Sequence, residues 1–129
     1  MGARARKLAE IEVTPVVRQR AAAALAAVKP GTEEIAALAR CLRDEDEDAR
    51  TVAASTLGSP GYLATERAVP DLEDRLRTDP SEAVRLHCAV ALAGILHGRA
   101  VPLLEEALGK ARSDRERQVL VGCLSRAKK

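Results

Sequence analysis

A nine-residue pattern recurs four times along this chain without gaps. Its copies run from Val17 to Leu25, Ala49 to Leu57, Val84 to Leu92 and Glu116 to Leu124. Each has an arginine in second place, at Arg18, Arg50, Arg85 and Arg117, and a leucine seven residues later. The arginines lie 32, 35 and 32 residues apart. A period of that length marks stacked supersecondary units, none of which can bury its apolar face alone.

A second pattern alternates with the first. Ala68 to Leu76 matches Ala100 to Leu108 at a spacing of 32, and Glu34 to Leu42 is a looser copy. Apolar residues at i, i+3 and i+7 give each one helical face. Pro70 and Pro102 fall in the first turn, where a missing N–H costs little. The unit is therefore helix A, turn, helix B, turn. It predicts an all-α, right-handed α-solenoid of about four two-helix repeats, one domain over 1–129, divided near 1–30, 31–60, 61–98 and 99–129.

Composition fits that architecture. Hydrophobic residues make up 47% of the chain and aromatics only 1%, so alanine and aliphatic side chains must fill the core. Alanine and leucine favour helices, and few strand formers compete. The punctuation agrees. Thr32, Ser81 and Ser113 stand where helix N-caps belong. Gly31, Gly58, Gly94 with Gly98, and Gly109 fall near helix ends, where a left-handed residue is wanted. Asp79-Pro80 bars helix continuation between A and B, while Ala5, Leu8 and Ile11 mark a shorter first A helix before Pro15.

These residues resemble the phycobilisome-lyase type of HEAT-like repeat, whose signature runs from an Asp through Val-Arg to spaced alanines, Leu and Gly. Asp79 to Leu92 fits it, with Cys88 in the first Ala place, and Asp44 to Gly58 fits with Thr56 replacing an Ala. Glu12 stands for the Asp in the first copy, and Ala111 and Glu116 depart outright in the fourth. Terminal repeats often diverge because they cap the stack. The resemblance implies B helices lining a concave side, with the two residues after each Arg, and the one three further on, facing outward. Those positions include Arg20, Thr51, Val52, Ser55, Leu86, His87, Val90 and Val119. Val52, Leu86, Val90 and Val119 would form an apolar strip edged by Arg20 and His87, and such strips mark interaction sites.

Catalytic and metal chemistry find little support. The histidines are His87 and His97, with no His-Glu pair of the kind carried by di-iron relatives. There is no nucleophile elbow, phosphate-cradling glycine loop or dinucleotide fingerprint. No cofactor, metal or catalytic residue is therefore assigned, and the chain reads as no enzyme. Cys41, Cys88 and Cys123 are odd in number and far apart, neither a disulfide framework nor a zinc spacing. They read as small helix residues in a reducing compartment.

The resemblance implies that the four arginines are structural, each near a repeat junction and able to pair with an acid such as Asp44 or Asp79 and so fix the stacking register. The run Asp44 to Asp48 reads as a solvated turn favouring the next helix N-terminus. Tyr62, the sole aromatic, lies in the longest connection, Ser59 to Thr65, the one most able to flex. Cover for the core is its favoured role there, a contact at the stack edge the other. The longest apolar stretch, Ala21 to Val28, is too short to span a membrane.

The expectation is a cytoplasmic protein-interaction module or scaffold that binds a protein partner through its B-helix face, with no membrane partner. One alternative is a nucleic-acid-associated protein using Arg4, Arg6, Lys7, Arg126, Lys128 and Lys129, although 21 basic against 19 acidic residues is no strong positive excess. The other, by resemblance alone, is a bilin lyase-type or other small-molecule enzyme.

Overall fold

The computed structural model describes residues 31–63 and 66–129. Within them the chain forms α1 (Thr32–Cys41), α2 (Glu47–Leu57), α3 (Val69–Thr78), α4 (Glu82–Leu96), α5 (Val101–Gly109) and α6 (Asp114–Ala127), with 3-10 turns at Pro60–Tyr62 and His97–Ala100. The described residues contain no strand. The A/B pairs are α1/α2, α3/α4 and α5/α6, each built where the two sequence patterns alternate. The first repeat, with Arg18 and Arg20, lies outside the described residues.

Local chemistry sets the helix ends. The Ser81 hydroxyl accepts from the Val84 amide and that of Ser113 from the Glu116 amide, which satisfies N–H groups that have no intrahelical partner. Pro70 and Pro102 open α3 and α5. Thr32 is not a cap. It is the first residue of α1, and Gly31 takes the cap position because the Glu34 carboxylate reaches back to its amide. The glycines also differ from expectation, since no described glycine has a positive φ. That backbone falls to His97, at φ 50° and ψ −125°, where α4 ends.

Close packing explains two of the glycines instead. A Cβ at Gly58 would stand 3.2 Å from the Ala91 Cα, and one at Gly94 would stand 2.9 Å from a Leu63 methyl. Gly58 lets the C-terminal end of α2 approach α4. Gly94 receives Leu63, the residue next to the 3-10 turn that carries Tyr62. Tyr62 is only 1% exposed, so it fills the core and is no contact point at the stack edge. Its hydroxyl has no hydrogen-bond partner among the described residues.

The core centres on α4, which packs against α2, α3 and α6. Eleven of its fifteen residues are buried, all but Arg85 apolar or glycine, as suits a helix enclosed by neighbours on most sides. By length and composition Glu82–Gly109 is apolar enough to cross a membrane. The run is not one straight helix: it breaks at His97, and burial within the array accounts for its apolarity. Leu57, Leu72, Leu92, Leu104 and Leu120 are at most 1% exposed, each worth about 1.5–3 kcal/mol of apolar burial. Cys88 and Cys123 are buried among them as free thiols. Burial pushes the Cys88 thiol up to about 12.

Candidate functional site

Two of the repeated arginines, Arg50 and Arg85, are spent on the seams between repeats. Arg50 Nε lies 2.9 Å from Asp79 Oδ2 of the following repeat, and its Nη1 donates to the Asp44 and Glu45 carbonyls of its own. Arg85 repeats the arrangement. It grips Glu116 of the following repeat through Nε and Nη2, and its Nη1 donates to the Asp79 carbonyl, 2.8 Å away. Arg117 donates to the carbonyl six residues back, Ala111, and pairs with Asp114 on its own helix. Arg50 and Arg85 thus serve stacking register, each spending at least three N–H groups on the seam or on its own repeat's backbone.

The acidic turn is similarly occupied. Asp44 Oδ1 accepts from the Asp46 amide and Asp46 Oδ1 from the Asp48 amide, capping α2 by successive side-chain turns. Glu47 Oε1 accepts from the Ser81 hydroxyl at 2.6 Å, a second link from repeat to repeat. Among the described residues, no three His, Cys, Asp or Glu side chains converge as metal ligands would.

The outward positions of the B helices do meet, though not as a continuous apolar strip. Thr51, Val52 and Ser55 of α2 and His87 of α4 line one hollow of about 160 Å3. Thr56 completes it, although it occupies an alanine place in the repeat pattern. It is 5% exposed, and its hydroxyl donates to the Val52 carbonyl at 2.7 Å. A hydroxyl standing in a place the other repeats fill with alanine or cysteine was the available signal. The Thr51 hydroxyl donates likewise to the Glu47 carbonyl. The polar needs of both threonines are therefore met within α2, which leaves their methyl groups for the hollow.

Other predicted positions are placed differently. Leu86 is 8% exposed and belongs to the core, so it is removed from the outer face. The reason is position in the stack: α4 has α2 on one side and α6 on the other, which leaves a narrow exposed arc. Val90 and Val119 are half-buried against the core and do not reach the hollow. Arg20 falls outside the described residues. His87 is half-buried, and burial lowers its pKa, which keeps the imidazole neutral near pH 7.

Comparison with known proteins adds the family. A family model described as HEAT repeats matches residues 7–93. No curated protein and no solved structure matches the chain. The matched span stops short of α5 and α6, yet that pair repeats the register of the one before it: Arg117 falls 32 residues after Arg85 and Leu124 32 after Leu92. With the greater part of its length matched and the helix pairs stacked in this way, the chain belongs to the HEAT-repeat family.

Proposed function

We propose that this chain is a protein-interaction module that takes a partner's side chain into the hollow between α2 and α4. The observation that carries the reading is the convergence of Thr51, Val52, Ser55, Thr56 and His87 from two successive repeats on one open cavity. A neutral imidazole, methyl groups and one exposed hydroxyl, that of Ser55, suit an aliphatic side chain flanked by a polar group. Strongly charged ligands are not what such walls favour. HEAT repeats commonly serve as interaction scaffolds, and binding rather than catalysis is the role this surface supports. A reducing compartment such as the cytoplasm is the setting we infer for the free thiols.

The test is capture from native lysate with the chain and with a Val52→Asp, Ser55→Asp variant whose circular dichroism matches it. The captured protein is then purified and titrated against both. Its loss from the variant, with Kd raised at least tenfold, supports the hollow as the site. Equal affinity of both chains moves the site elsewhere, and recovery of nucleic acid alone ends the protein-module reading.

A further inference from the structure

The two seams of the described array are made from aligned positions but are not filled alike. In the first, Arg75 Nη1 lies 3.4 Å from Asp79 Oδ2, and the Asp79 side chain has no exposed surface. Arg50 approaches the same carboxylate from the preceding repeat. Thirty-two residues later the matching places are Ala107 and Ala111. Glu116 supplies the carboxylate from within α6 instead. Beside Ala107 lies a pocket of about 70 Å3 bordered by α3, α4, α5 and α6.

Its charges do not balance. Arg77, Arg85, Lys110 and Arg112 line the pocket against Glu106 and Glu116. Glu106 is shared between Arg77 at 3.3 Å and Lys110 at 3.4 Å, and Arg77 also has Glu73 at 3.8 Å. Glu116 is held by Arg85 and by the Arg112 backbone amide. The Arg112 guanidinium makes no hydrogen bond or ion pair among the described residues. The Arg85 side chain is 8% exposed. It donates from Nε, Nη1 and Nη2 once each, which leaves two of a guanidinium's five N–H groups unspent. A single water needs only about 10–15 Å3 of such space, so the pocket has room for a tetrahedral oxyanion.

We propose that this pocket binds a phosphate group, free or as the head of a monoester, with Arg112 and Lys110 at the mouth and Arg85 beneath. Guanidinium forks match phosphate oxygens in geometry. A phosphate carrying about two negative charges near pH 7 would meet the unpaired Arg112 guanidinium and the two open N–H groups of Arg85. The site is separate from the hollow between α2 and α4 and does not rest on that reading.

Calorimetric titration of the full chain with inorganic phosphate and with phenyl phosphate, at constant ionic strength in chloride, tests it. Wild type is expected to bind one equivalent, and Arg112→Gln to raise Kd at least tenfold without shifting the urea midpoint. An Ala107→Arg, Ala111→Asp variant, which refills the seam as in the preceding repeat, is expected to abolish binding. Phenyl phosphate bound as tightly as phosphate identifies a monoester site, and phosphate alone a site for the free ion. Should wild type bind neither, or Arg112→Gln bind both as wild type does, the proposal is overturned. Arg112 is exposed, so that variant decides the matter even if the refilled one does not fold.

Discussion

Arg85 and Glu116, 31 residues apart, meet across a seam of the stack as a bidentate pair, with Nε 3.1 Å from Oε1 and Nη2 3.2 Å from Oε2. Both side chains are less than a tenth exposed. Asp79 plays the corresponding part for Arg50, but from a different place in its repeat. Asp79 lies six residues before its arginine, where the next repeat has Ala111, and Glu116 occupies the place of Val84 and Ala49. The resemblance between roles extends to the backbone. Asp79 accepts from the Ser81 amide at 3.0 Å and Glu116 from the Arg112 amide at 3.1 Å. Two departures from the repeat pattern are therefore one compensated change.

Glu116→Val, which restores the apolar residue of the pattern, should accordingly destabilise the protein. It leaves Arg85 buried without its carboxylate, a loss of about 3–5 kcal/mol for a broken buried pair. Adding Ala111→Asp returns a carboxylate to the place Asp79 holds, and the double variant should recover most of that loss. Urea unfolding of wild type, the two single variants and the double variant measures it. Additive effects of the two substitutions would show that the residues do not substitute for one another.

The same carboxylate sets a pH dependence. Burial raises the Glu116 pKa, but the Arg85 hydrogen bonds, the Arg112 amide and the charges of both arginines outweigh it, and the net position is below the ordinary 4.5. A folded-state pKa below the unfolded one means that the unfolded chain binds the extra proton first. The contribution is thus complete above the unfolded value and is lost as pH falls from about 4.5 through the folded value. Unfolding free energies of wild type and Glu116→Gln, measured from pH 7 down to acid, should converge over that window. Parallel curves would remove Glu116 from the account.

Residues with one possible partner were readable from the sequence, and residues whose burial depends on neighbouring repeats were not. Alternating helices and the serine caps came from spacing, and the role of Arg50 and Arg85 as seam residues from the resemblance to HEAT-like repeats. Leu86 could not be placed by spacing, because Thr51 and Gln118 share its repeat position and both keep more exposure. The difference arises from α2 and α6 on either side of α4. Glu116 was readable only as a departure, since its compensation for Ala111 involves a second position and a contact 31 residues away. The pocket beside Ala107 was hidden for the same reason: an alanine at that place is an ordinary helix residue until the facing arginines are placed in space.

Thiol reactivity should report the core directly. Cys88 is buried, and its thiol is pushed up to about 12, so almost none of it is thiolate at neutral pH. Burial also raises Cys123. Cys41, on α1, is only half-buried. Alkylation at pH 8, read out by mass spectrometry, should modify Cys41 well before the others, and Cys88 only at the rate of unfolding. Rapid modification of Cys88 in folded protein would contradict a closed core around α4.

Ala54, Ala89 and Val121 hold the same place in three successive B helices, four residues after the arginine. The alanines have no exposed surface, whereas Val121 is 54% exposed. The difference lies in the neighbour stacked on each helix: α4 covers α2 and α6 covers α4, while no described helix pair stacks beyond α6. A small residue is therefore needed only where another repeat closes over it. Ala89→Val adds two methyl groups to a filled seam and should cost about 1–3 kcal/mol. Val121→Ala removes them from an open face and should change stability by less than about 0.5 kcal/mol, with any gain from alanine's helix propensity. Thermal and urea melts of both variants measure the contrast. Equal costs at the two sites would mean that stacking does not govern this position, because only the covering repeat distinguishes them.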